Sequence, residues 1–495
     1  MMQCKFPREI IALLLLLTIG GCATKSDEGE PSSSSTGLPP KVVAMMANAN
    51  IPPEAIGAIA FRLSDGATLI SHRSDASMQP ASNMKLLTTG VGLETLGPTF
   101  RWQTELMTNA AIVDDQLRGD LVLRGGGDGD FTWEALARIL KTLRQKGVRD
   151  ILGDIILDRT MFLPTRTDIG LPPFDASPEA EYNVIPDALL VNTNMLKLDL
   201  EADKATLHAR ITPELEGVAI DMQMTLIDRA CKDWDDGWKT PGVVKSANGT
   251  TRIQLRGEFP RDCTASTDIN ILERDEFVDR LFRTLWSAES GIWRGAMREG
   301  TTPPDARQLA RHRSRTLADM LRAINKPSDN ALTRLLFLTL GTPPSGNGLT
   351  TLEQADRRVR AWFTRRGISD EGLVTENGSG LSRRERIRPS QLAALLAAEY
   401  RSNWAPEFMS SLPVVGLDGT MRNRLKDSSV AGRARMKTGT LNNVNALAGY
   451  VPNAAGQMYV VVAIINHKPA SGPLAPVGQS ILDALVDWVG RSRAN

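Results

Sequence analysis

The sequence predicts an α+β protein built on one discontinuous domain that is interrupted by an insertion. Three observations lead there. Strand-like runs stand beside helical ones at both ends of the chain, the middle switches to strict apolar alternation, and 495 residues exceed what one core usually supports, about 250.

The elements follow in order. Lys5 and Arg8 precede the apolar run Ile10 to Leu17, too short for a stable membrane span and of the form of a secretory leader ending at residue 21. Ile19-Gly20-Gly21-Cys22 follows. Residues 22–40, with Ser32 to Ser35 in a row, cannot bury enough apolar surface to fold and read as a tether. Ile56 to Phe61, Asp65-Gly66 and Thr68 to Ser71 form a hairpin pattern, and a helix begins near Pro80-Ala81-Ser82. From about Arg101, short strands alternate with a helix whose Leu136, Ile139, Leu140 and Leu143 share one face. Alternation then rules: Leu196, Leu198 and Leu200, next Ile220, Met222, Met224 and Leu226, then Ile253 and Leu255, marking 186–264 as a small β unit. After Trp286 helices return. The chain closes with strands from Arg435, Ala446 and Met458 and an amphipathic helix over 480–489.

Composition narrows the function. A net charge of +1, with 23% charged residues, gives no bulk attraction for nucleic acid. His72, His208, His312 and His467 show no metal-binding spacing, so neither metal nor cofactor is expected. If Cys4 leaves with the leader and Cys22 is modified, Cys231 and Cys263 remain as a natural disulfide pair in an oxidising compartment; two buried free thiols are the alternative.

Three short motifs carry chemistry. In Ser82-x-x-Lys85, helical spacing brings the amine toward the hydroxyl, which a serine needs to become a nucleophile. Alone it is weak, being expected roughly twice by chance in such a chain. In Ser328-Asp329-Asn330 a hydroxyl and an amide can point into one cleft, although the same triplet also suits a helix cap. In Lys437-Thr438-Gly439-Thr440 a strand presents a cation toward a substrate carboxylate, and the bare Gly439 would let a peptide pair with its edge. Asn377-Gly378-Ser379-Gly380 lacks the first glycine of a nucleophile elbow and reads as a turn lining the cleft.

In this order the three motifs are the signature of β-lactamases and penicillin-binding proteins. The 243 positions between Lys85 and Ser328 (328 − 85), with Gly153-Asp154-Ile155-Ile156-Leu157-Asp158 and Gly416-Leu417-Asp418-Gly419-Thr420, resemble the penicillin-binding protein 4 type of DD-carboxypeptidase and DD-endopeptidase.

The resemblance implies a penicillin-binding, β-lactamase-like domain over 41–100 and 295–495, with an antiparallel sheet flanked by helices. Two nested β-rich inserts would span 101–185 with 265–294, and 186–264. It implies Ser82, Lys85, Ser328 and Asn330 as catalytic residues, Lys437, Thr438, Gly439 and Thr440 at the substrate, and Asp158 near a bound diaminopimelate. Peptidoglycan would be the substrate and β-lactams covalent inhibitors, with D-Ala-D-Ala trimming and D-Ala-diaminopimelate cross-link cleavage both open. A β-lactamase or esterase on the same core, or a silent murein-binding lipoprotein, are the rivals. Ile19-Gly20-Gly21-Cys22 resembles the bacterial lipobox, implying a lipid anchor on Cys22 that faces the periplasm from the outer membrane; a plain cut near Ala23 is the alternative.

Overall fold

The computed structural model describes residues 37–167, 177, 179–247, 249–343, 346, 348–468 and 475–493. The leader, Cys22 and the tether as far as residue 36 lie outside the described residues.

Five strands form the main sheet in the order Arg435–Leu441, Val444–Pro452, Met458–Asn466, Ile56–Arg62 and Thr68–His72, every neighbouring pair antiparallel. Val460, Val462 and Ile464 face one core, where Leu87 of the helix Met84–Leu96 and Leu392 and Leu396 of the helix Pro389–Tyr400 meet them. Val461, Ala463 and Ile465 face the other, against Ile481, Leu485 and Val489 of the helix Ala475–Arg491. A strand covered on both faces must be apolar at every position, which is why this one shows no alternation.

The first element of the main domain went unread in the sequence. The main domain was expected from residue 41 with Ile56 to Phe61 as its first element, and the helix Pro40–Asn48 precedes that strand, burying Val42 and Met46 in the second core. A nine-residue helix offers too few turns for its apolar stripe to stand out.

The insert carries a second five-stranded sheet, ordered Met297–Glu299, Ile155–Asp158, Leu121–Arg124, Gln103–Thr108 and Arg307–Arg313. This corrects a domain boundary. The expected division at 294–295 would assign 295–313 to the main domain, yet the outer strands of this sheet come from there, so the main domain resumes near the helix Leu317–Asn325.

Within the inner unit, Leu196–Ala202 pairs with both Leu207–Thr212 and Cys263–Ile269, and Thr251–Pro260 with both Val218–Ile227 and Trp238–Lys245. Its edge therefore moves from 264 to 269. Cys231 and Cys263 are disulfide-bonded there, which excludes the free thiols. Leu140, Leu198, Leu255 and Phe282 belong to one continuous core, so the two inserts are stabilised together rather than as separately cored domains.

Candidate active site

Ser82 lies in a tight turn, Ala81–Asn83, that leads into the helix Met84–Leu96. One turn on, the fully buried Lys85 places Nζ 3.0 Å from Ser82 Oγ. Its ammonium also donates to Asn330 Oδ1 and to the Ser379 carbonyl, both at 2.6 Å. Three oxygens fix a side chain that would otherwise be free to rotate.

Ser328 adopts a left-handed backbone at φ 71° and accepts from Lys437 Nζ at 2.8 Å. Beside it Asp329 caps the helix Asn330–Leu340 by accepting from Leu332 N at 2.8 Å. Both readings of the triplet therefore hold, since the middle residue caps while its neighbours face the site. The Asn330 amide nitrogen donates to the Tyr182 carbonyl at 2.9 Å, so the insert closes over one side of the cluster.

The strand Arg435–Leu441 brings in the third motif, with Lys437 buried and also donating to the Thr438 carbonyl at 2.9 Å. Thr438 Oγ1 meets Thr420 Oγ1 at 2.7 Å, and Thr440 is exposed. Gly439 has a different reason from the expected one. A Cβ there would stand 2.7 Å from the Pro80 carbonyl and 3.1 Å from the Ser82 nitrogen, so its bareness lets the strand lie against the turn Ala81–Asn83. Asn83 ties the same seam, its amide nitrogen donating to the Lys437 carbonyl at 2.9 Å.

Burial dominates the electrostatics. It pushes Lys85 down to about 7, against the opposing charges of Asp329 and Glu385 and with help from Arg334. Lys437 is held well below the usual lysine range by burial and then by repulsion from Lys85. Two ammonium groups in one dry cluster repel each other, so a proton leaves one of them easily. Asp329 is raised, chiefly by burial.

Asp158 is not brought into this cluster. It ends the strand Ile155–Asp158, where Oδ1 accepts from Thr160 N at 2.9 Å and Thr160 Oγ1 at 2.6 Å, while Oδ2 accepts from Thr302 N at 2.8 Å and from the Thr302 hydroxyl. Four donors brace this carboxylate within the insert.

Sequence reasoning missed the Tyr182 carbonyl, which no side-chain pattern reveals, and Glu385, the lone acid within Arg383-Arg384-Glu385-Arg386, whose look is that of a solvated charge run. Glu385 is in fact fully buried. Thr420 sat in a quoted motif but had no assigned role until its contact with Thr438 was seen.

With this geometry in place, comparison with known proteins decides the family. Residues 39–489 match the model of the D-Ala-D-Ala carboxypeptidase 3 (S13) family. The chain belongs to that family. Membership in S13 makes it a serine DD-peptidase acting on peptidoglycan, a D-Ala-D-Ala carboxypeptidase. Among S13-like relatives, it is 28% identical to the D-alanyl-D-alanine carboxypeptidase of Actinomadura sp. (strain R39), over 88% of this chain and 81% of that one. It is 26% identical to the D-alanyl-D-alanine carboxypeptidase DacB of Haemophilus influenzae, over 83% of this chain and 85% of that one. The crystal structure of penicillin binding protein 4 (dacB) from H. influenzae shares the fold at a TM-score of 0.73 and 23% identity, covering 90% of this chain and 99% of that one.

Proposed function

We propose that Ser82 is the nucleophile of this S13 peptidase and forms an acyl-enzyme with the penultimate D-alanine of a peptidoglycan stem peptide. The observation that carries this is one hydrogen-bonded cluster in which Lys85 Nζ sits 3.0 Å from Ser82 Oγ and is already driven toward neutrality. Neutral Lys85 takes the hydroxyl proton as Ser82 Oγ attacks the carbonyl carbon. The backbone N–H groups of Ser82 and Thr440, on the two segments that Gly439 lets approach, hold the developing oxyanion. Ser328, hydrogen-bonded to Lys437, passes a proton to the departing amine; water then attacks the ester and frees Ser82.

Lys437 and Thr438 receive the substrate carboxylate. Its negative charge favours the proton on Lys437, and that cation in turn keeps Lys85 neutral when it must act as a base. Trimming of a terminal D-Ala and cleavage of a D-Ala-diaminopimelate cross-link use the same steps and differ in the departing amine. β-Lactams, whose strained amide imitates the scissile bond, acylate the same oxygen; a β-lactam complex of the H. influenzae protein is known. The leader and Ile19-Gly20-Gly21-Cys22 support export and lipid attachment at Cys22, and with them a reading of the enzyme as periplasmic and anchored at the outer membrane.

Digestion of purified pentapeptide and cross-linked muropeptides, read by mass, tests the reading. Release of D-alanine, cross-link cleavage, or both is expected from the wild type and not from Ser82→Ala. Absence of any product, or equal product from the variant, refutes it; rapid turnover of β-lactam without muropeptide cleavage favours a β-lactamase.

A further inference from the structure

We infer that Glu385 is a positioning residue for Lys85, acting through the loop 376–380; the inference rests on the role of Ser82 and Lys85 proposed above. The carboxylate is fully buried and is wrapped by that loop. Oε1 accepts from the backbone nitrogens of Glu376 (3.1 Å), Asn377 (3.0 Å) and Gly378 (2.7 Å), and Oε2 from that of Gly380 (2.8 Å). Four N–H donors converging on one side chain form an anion nest built by the chain itself, and they set the direction in which the intervening carbonyls point.

Those carbonyls point at the nucleophile helix. The Gly378 carbonyl accepts from Thr88 Oγ1 at 2.6 Å, and the Ser379 carbonyl accepts from Lys85 Nζ at 2.6 Å. Gly380, at φ 82°, lies so close to the turn before Ser82 that a Cβ would stand 1.8 Å from the Ala81 carbonyl. One carboxylate thus fixes three contacts with the segment that carries both reacting groups.

Its charge matters as well as its shape. Lys85 feels Asp329 and Glu385 as opposing charges, and Arg334 and Lys437 as like charges. Removing the Glu385 charge makes the Lys85 ammonium easier to deprotonate. Burial raises Glu385 itself, while the four N–H donors hold it down. A merely structural strut would affect folding and leave the proton balance of Lys85 alone.

The test is the rate of Ser82 acylation by a fluorescent penicillin, measured from pH 5 to 9 on the full chain for wild type, Glu385→Gln and Glu385→Asp. Glu385→Gln keeps one acceptor oxygen and turns an NH2 toward a donor. We expect its plateau rate to fall at least tenfold and its acidic limb to move to lower pH. Glu385→Asp keeps the charge but not the reach, so its plateau should fall while the limb stays. A Glu385→Gln profile that overlays the wild type, or one scaled down with the limb unmoved, overturns the inference. If the Gln variant does not fold, a wild-type plateau in the Asp variant overturns it equally. Failure of the wild type to be labelled would instead overturn the Ser82 reading.

Discussion

In the proposed mechanism the chemistry turns on Lys85, because a serine hydroxyl needs a base that is neutral at working pH. Burial brings it down to about 7. The acylation rate kcat/KM is therefore predicted to rise with pH along a limb centred near 7 and to flatten above it, checked by a pH series with a β-lactam reporter. A limb near the ordinary lysine value would mean that Lys85 is solvated. Ser82, Lys85, Asn330 and Lys437 were legible in sequence because each sits in a short motif whose spacing encodes geometry. Glu385 was not, because its partners are backbone N–H groups of a loop and its neighbours in sequence are arginines.

Among elements, the seam between the strand Arg435–Leu441 and the turn Ala81–Asn83 leaves little room. Gly439→Ala forces the strand away from Pro80 and Ser82, separating the two N–H groups proposed to hold the oxyanion. Acylation should drop roughly 10- to 100-fold with folding retained, as displacements near 1 Å commonly do. Measurement of acylation alongside a melting curve checks both halves. The helix Met84–Leu96 holds a second sensitive contact further on. Glu399, on the helix Pro389–Tyr400, is buried against Gly90 and lies beside Glu94, with which it shares a carboxyl–carboxyl hydrogen bond when one of the pair is protonated. Burial and then Glu94 push it up to about 8. The folded protein thus keeps a proton that the unfolded chain releases near the ordinary carboxyl range, roughly pH 4. Stability from this group is complete below that range and is lost as pH rises through about 8. Glu399→Gln should melt higher than the wild type at pH 9, by a few degrees, with a smaller difference at pH 5. No motif announces such a pair; it arises only when two helices pack.

At the scale of the molecule, the sequence revealed the discontinuous main domain because period-two alternation in the insert contrasts with the buried runs at the C-terminus. Boundaries were harder: the strand Arg307–Arg313 looks like any other strand until its partner, Gln103–Thr108, is known. The shared insert core makes the Cys231–Cys263 bond a local brace. Its removal by Cys231→Ser with Cys263→Ser should cost the insert about 3 kcal/mol or somewhat more on the chain-entropy model, lowering the denaturant midpoint. Activity of the folded protein should remain, since the bond touches none of the cluster around Lys85. The account as a whole stands on one covalent event at Ser82. Intact-protein mass after incubation with penicillin should show a single added penicillin on the wild type, mapped to the peptide carrying Ser82, and none on Ser82→Ala. An unmodified wild type, or an adduct that persists in the variant, would contradict it.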